Sequence, residues 1–142
     1  MRRFGIALLG MGMTLATPAL AEGDATAGER GFKKCKSCHM IVSDAGDTIV
    51  KGGRTGPNLY GVVGRQAGSL DGFRYGKSLI AAGEAGLSWD EEQFVTYVQD
   101  PRAYLRDYLS DSKAKSKMSF KLRKADDAAD IWAYLTSVSA DS

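Results

Sequence analysis

Between Gly46 and Gly86 the chain places eleven glycines in 41 residues, with Pro57 among them. No alternation of apolar and polar residues survives there for more than four positions, and only Ser78 to Ala82 suggests a short helix. Loops of this length are uncommon in a compact domain unless they wrap something or carry function. A chain of 142 residues makes one ordinary domain. One that gives so much of its length to loops needs a source of core beyond its own side chains.

The first segment has another purpose. Arg2 and Arg3 precede an apolar run from Phe4 to Leu15, broken only by glycines and Thr14, and Pro18 and Ala19-Leu20-Ala21 follow. This is the layout of a secretory signal peptide, with cleavage expected after Ala21. The run is too short for a retained membrane anchor, which needs about 20 apolar residues. Residues 1–21 are therefore expected to leave and residues 22–142 to form the working domain outside the cytoplasm, in the periplasm. The full chain has 19 basic and 17 acidic residues, and losing Arg2 and Arg3 brings the balance to zero. That balance argues against a nucleic-acid partner, and an apolar share of 44% argues against a disordered chain.

Helical signals flank the loops. Asp24 can cap a helix from Ala25 to about Lys34, in which Gly28 and Gly31 suggest the close approach of another element. Ser88-Trp89-Asp90-Glu91 resembles a capping box and predicts a helix from Trp89 to Gln99, with Phe94, Tyr97 and Val98 inward. Pro101 suits the first position of a short helix carrying Tyr104, Leu105 and Tyr108. A last helix spans Ala125 to Val138, with Ile131, Leu135 and Val138 on its inner stripe beside Trp132 and Tyr134. The fold class is all-α.

Two cysteines and the only histidine stand together as Cys35-Lys36-Ser37-Cys38-His39. A redox pair would sit in a βαβ unit, and none is visible. A structural zinc needs about four N or S ligands, and the chain offers three. What remains is C-x-x-C-H, the attachment signature of a c-type haem. Thioethers two residues apart hold one porphyrin edge against one turn of chain, and the next imidazole reaches the iron. His39 is then the proximal ligand. One covalently bound haem c also supplies the missing core.

The second axial ligand follows by elimination. Met1, Met11 and Met13 leave with the signal, and Met40 adjoins His39 and cannot reach the other face of the ring. Met118 remains, between Lys117 and Ser119 in a lysine-rich segment. A lone methionine ordinarily fills a gap in a core, but this loop is an odd place for one. A His/Met pair raises the haem potential and leaves the iron no open position.

With these residues placed, the chain resembles the class I c-type cytochromes, and among them the soluble bacterial cytochrome c-two group. The resemblance covers residues 22–142. It rests on C-K-S-C-H and S-K-M-S-F, with G-D-A-x-x-G in the first helix, T-G-P-N-L-Y-G-V-V-G-R, F-R-Y, L-S-W, and A-Y-L in the last helix. It implies a class I cytochrome c fold of four to five helices, with long loops wrapping the haem. It also implies that the Pro57 carbonyl accepts from His39 Nδ1, and that Tyr75 and Trp89 donate to a haem propionate. Arg65 and the hydroxyl of Ser116 are expected to help neutralise that propionate, and the Tyr97 hydroxyl to face the sulfur of Met118. Gly28 and Phe32 should meet Leu135 and Tyr134 where the first and last helices cross. Plainer readings remain: Pro57 as a loop residue, and Tyr75 or Tyr97 as core aromatics with a wetted tip. Lys117 stands where such bacterial relatives often have glycine, and residues 79–86 fit the family poorly.

A closed iron leaves one-electron transfer as the activity, with a haem enzyme of peroxidase type as the alternative. The expected protein is a monomeric periplasmic carrier rather than an enzyme. It would take electrons from a cytochrome bc complex to a photosynthetic reaction centre or a terminal cytochrome c oxidase. Lys33, Lys34 and Lys36 beside the motif, and Lys113, Lys115, Lys117 and Lys121 beside Met118, would form the docking face. Acids at 90–92 and 126–130 would sit elsewhere, giving the neutral chain a dipole.

Overall fold

The computed structural model describes residues 22–139. The signal peptide expected over residues 1–21 lies outside the described residues. Five helices follow in order: α1 Ala25–Gly31, α2 Lys77–Glu84, α3 Glu91–Gln99, α4 Pro101–Tyr108 and α5 Ala125–Ser139. Two short strands, β1 Ile41–Val42 and β2 Thr48–Val50, pair antiparallel with Ile41 opposite Val50. The sequence pattern is too brief to announce so short a ladder, and the architecture stays all-α with long connections.

Asp24 starts α1 as expected, its carboxylate accepting from the N–H of Thr26 at 2.8 Å and of Ala27 at 3.2 Å. The helix ends sooner than predicted. It tightens after Gly31 into a 3-10 turn over Phe32–Lys34, which delivers Cys35 to the interior. The start predicted for α3 is also corrected. Asp90, not Ser88, is the cap, and it accepts from Gln93 N at 2.8 Å. Ser88 is instead paired as an extended bridge with Gln66, so Trp89 stays outside the helix.

The frame is α1 crossing α5, with α3 packed on α5 beside it. Gly28 makes the crossing possible. A Cβ there would stand 1.9 Å from the Asp130 carbonyl oxygen and 2.8 Å from Tyr134 Cβ, so only glycine lets the backbones meet. Phe32 packs on Tyr134 with ring centroids 5.9 Å apart, as the resemblance implied. Phe32, Leu105, Ile131 and Leu135 are fully buried, while Val138 is only half-buried against the core. Between this frame and the loops of residues 52–76 and 109–124 lies a cavity.

Candidate haem site

The attachment motif forms one turn. His39 N–H donates to the Cys35 carbonyl at 2.9 Å, and Cys38 N–H donates to the same oxygen at 3.1 Å. Cys35 is half-buried and Cys38 exposed. Burial pushes the Cys35 thiol up to about 11, with Lys34 pulling weakly the other way. A thiol pushed upward is the reverse of the depressed nucleophile of a redox C-x-x-C pair. Among the described residues no group of three or more His, Cys, Asp and Glu could hold a metal ion, so the zinc reading ends there too.

The glycine-rich loop lies on the motif. Gly53 N–H bonds the Lys36 carbonyl and Gly56 N–H the Cys38 carbonyl, each at 2.8 Å. A Cβ on Gly56 would be 2.4 Å from His39 Cε1 and 2.7 Å from Nδ1, so the imidazole occupies the space a side chain would take. Next along the loop, Pro57 places its carbonyl 2.8 Å from His39 Nδ1. A carbonyl only accepts, so Nδ1 carries the proton and Nε2 keeps its lone pair. Burial lowers the His39 pKa, against the Pro57 bond that raises it.

Cys35, Cys38, His39, Pro57, Arg65, Tyr75, Trp89, Tyr97, Ser116 and Met118 all line this one cavity. The sequence and the resemblance it carries pointed to these ten residues, spread over 84 positions of chain. Arg65 donates to the Asn58 carbonyl at 3.0 Å and to the Tyr60 carbonyl. Burial lowers its pKa, and nearby Tyr75 opposes that. Tyr75 hydroxyl accepts from Leu70 N at 3.3 Å. Trp89 and Tyr97 are buried and in ring contact at 4.9 Å. Burial raises the Tyr97 pKa, and a hydrogen bond with Ser116 holds it down.

The structure shows Ser116 bonded within the Met118 loop. Its hydroxyl donates to the Met118 carbonyl at 2.9 Å and accepts from Met118 N at 3.1 Å. It thereby pins the Met118 loop.

The lysines divide. Lys117 Nζ bonds the Arg74 carbonyl at 3.0 Å, Lys121 pairs with Asp100 at 2.9 Å, and Lys34 lies 3.7 Å from Asp127. Lys33, Lys36, Lys113 and Lys115 are exposed without such a partner among the described residues. Asp127 beside Lys34 also brings the acidic start of α5 closer to the motif than a clean dipole would have it.

Sequence reasoning left out two parts of the site. Asn58 braces the loop under Pro57, its Oδ1 accepting from Val42 N and Tyr60 N and its Nδ2 donating to the Val42 carbonyl at 2.8 Å. Asparagine directly after Pro57 in a glycine-rich loop was the available signal. Leu79 lines the cavity from α2, inside the segment that fits the family poorly. Phe94, Val98 and Ile131 complete the apolar wall from α3 and α5, and there the helical period had already turned them inward.

No family model matches the chain. Cytochrome c-551 of Roseobacter denitrificans is 69% identical over 127 residues, 89% of each chain. Cytochrome c2 of Cereibacter sphaeroides is 54% identical over 135 residues, 93% of each. The chain belongs to the cytochrome c2 family. The crystal structure of cytochrome c2 from Rhodobacter sphaeroides has 55% identity, and the match covers 82% of this chain and 96% of that one with a TM-score of 0.80. Cytochrome c2 from Rhodobacter capsulatus gives 0.76 at 54% identity. This cytochrome is an electron-transfer protein with one covalently attached haem c. Its cavity suits that group: the wall is largely apolar, thiols stand in the rim, and an imidazole and a thioether share the space.

Proposed function

We propose that Cys35 and Cys38 carry the haem by thioether bonds and that His39 and Met118 are its axial ligands. The observation that carries this reading is the gathering of His39 and Met118 in one cavity with both cysteines. The haem supplies a single reversible electron at its iron. The protein does the rest. Pro57 fixes the His39 tautomer, Ser116 holds the Met118 backbone, and the apolar wall of Leu59, Val62, Leu79, Phe94 and Val98 excludes water. Arg65, Tyr75 and Trp89 are the polar groups of the cavity that would meet the propionates. Both ligand positions being filled, there is no place for a substrate on the iron.

In this reading the protein is a soluble, monomeric periplasmic shuttle. It takes electrons from a cytochrome bc complex and gives them to a photosynthetic reaction centre or a terminal oxidase. Among the described residues no helix is long and apolar enough to cross a membrane. Docking uses the lysines around the motif and the Met118 segment, Lys33, Lys36, Lys113 and Lys115 foremost, and charge steers the encounter.

Ligation is tested by Met118→Ala. The ferric protein should lose its sulfur-to-iron absorption band and its potential should fall, while the haem stays covalently bound. A band that survives the substitution removes Met118 from the iron. The route is tested by mixing the reduced protein with host membranes. Light-driven oxidation identifies a reaction centre, cyanide-sensitive dark oxidation an oxidase, and no oxidation in either overturns the shuttle.

A further inference from the structure

Four aromatic rings form an unbroken series from the cavity to the surface. Trp89 and Tyr97 are both buried and line the cavity, 4.9 Å apart between centroids. Tyr97 meets Tyr104 edge-on at 5.6 Å and 86°. Tyr104 stacks on Tyr108 at 5.8 Å and 15°. The last two stand four residues apart, one above the other on α4. Asp100 alone separates α3 from α4, and it caps α4 by accepting from Ala103 N at 3.0 Å, so Tyr97 and Tyr104 are held at a tight corner. The Tyr104 hydroxyl donates to Gln93 Oε1, which ties α4 back to α3.

The outer end of the series is distinctive. All six tyrosines and both tryptophans of the chain lie among the described residues, and Tyr108, at 36%, is the only exposed one among them. Tyrosine and tryptophan are the side chains that a one-electron oxidant attacks by removing an electron from the ring. A radical in solution therefore meets its most accessible ring at Tyr108, and that ring is wired to the cavity. Nothing in docking or ligation needs this arrangement, because Tyr104 and Tyr108 do not line the cavity.

We propose that Tyr108, Tyr104 and Tyr97 form a radical-quenching relay, through which the reduced protein repairs an oxidised Tyr108 with an electron from the haem. The proposal rests on the haem occupying this cavity. The balance is simple. A one-electron oxidant such as the azidyl radical takes one electron from Tyr108 and becomes azide, and the phenol releases its proton to water. The resulting phenoxyl radical then receives one electron from the ferrous iron through Tyr104 and Tyr97 and one proton from water. Tyrosine is restored and the iron is ferric, with no net bond made or broken in the intervening rings. Tyrosines in close ring contact suit electron passage because electronic coupling falls steeply with the gap between rings.

The test uses the reduced haem-loaded protein and azidyl radicals made by pulse radiolysis. In the wild type, tyrosyl absorbance should rise first and then decay as ferric haem appears, at a rate independent of protein concentration. Tyr104→Phe keeps a packed ring but removes an oxidisable link. It should still form the tyrosyl signal and lose the intramolecular phase, its radicals pairing instead into dityrosine-linked dimers. Tyr108→Phe, altered only at the surface, should lose most of the tyrosyl signal. Repair in Tyr104→Phe at the wild-type rate overturns the relay, as does wild-type tyrosyl decay without haem oxidation. An absorption spectrum lacking c-type haem before the pulse would instead be a failure of the haem assignment.

Discussion

The Pro57 carbonyl sits 2.8 Å from His39 Nδ1, while the neighbouring Gly56 has no room for even a methyl group against the same ring. One dipeptide thus fixes both the tautomer and the position of the imidazole, the carbonyl by a hydrogen bond and the glycine by close approach. Gly56→Ala forces a contact of 2.4 Å with Cε1, and the ring cannot yield without leaving Pro57. The substitution should destabilise the loaded protein by about 1–3 kcal/mol, the usual penalty of overpacking. Urea unfolding followed by haem absorbance measures this. A midpoint equal to wild type would mean that the loop moves freely from the ring.

Gly28 supports a second prediction, on the frame rather than the site. Its missing side chain admits the Asp130 carbonyl and Tyr134 Cβ, and backbone cannot be displaced as a flexible side chain can. Gly28→Val should therefore part α1 from α5 and cost about 3 kcal/mol or more. Gly31→Ala is the contrasting control. Its new Cβ would meet only Ile131 side-chain carbons at 3.4 and 3.5 Å, an ordinary van der Waals contact. Comparing the two urea midpoints decides whether close approach or helix propensity makes position 28 glycine.

The residues proposed to hold the haem could be picked out of the sequence because they are local or scarce. Cys35, Cys38 and His39 sit in one pentapeptide, and Met118 is the one methionine left once those of residues 1–21 and Met40 are set aside. The helical faces of α3 and α5 were legible for a different reason. Burial repeats with the helix, so Phe94, Val98 and Ile131 announce themselves. What stayed hidden depends on distant partners. Ser116 turns to Met118, Lys117 to the Arg74 carbonyl and Asn58 to Val42. No period or spacing encodes a side chain bonding a backbone that loop geometry alone brings near. The end of α1 escaped for a similar reason, since the 3-10 turn exists to deliver Cys35 to the cavity.

The partition of the lysines predicts unequal effects on electron transfer. Lys115 lines the cavity mouth and has no ion-pair partner among the described residues, whereas Lys121 is held by Asp100. Lys115→Glu should slow reaction with an acidic redox partner more than Lys121→Glu does, and flatten its dependence on ionic strength. Second-order rates measured from low to high salt test this. Equal slopes for the two variants would remove Lys115 from the docking face.

Asp100 joins α3, α4 and the Met118 segment, because its carboxylate caps α4 and pairs with Lys121. The Lys121 hydrogen bond, followed by the Ala103 N–H, lowers its pKa from the ordinary 3.8. A group whose pKa is lowered by folding stabilises the native state in its charged form. That contribution is complete above the unfolded value and drains away as pH falls through the lower native one. The wild type should accordingly lose stability as the solution is acidified below about pH 4. Asp100→Asn keeps a side-chain oxygen for the cap but has no charge to lose. Its urea midpoint should start lower than wild type at neutral pH and fall less over that acid window, so that the two curves converge. Parallel curves would show that the carboxylate gains nothing from Lys121, and that the pair is an accident of two exposed side chains.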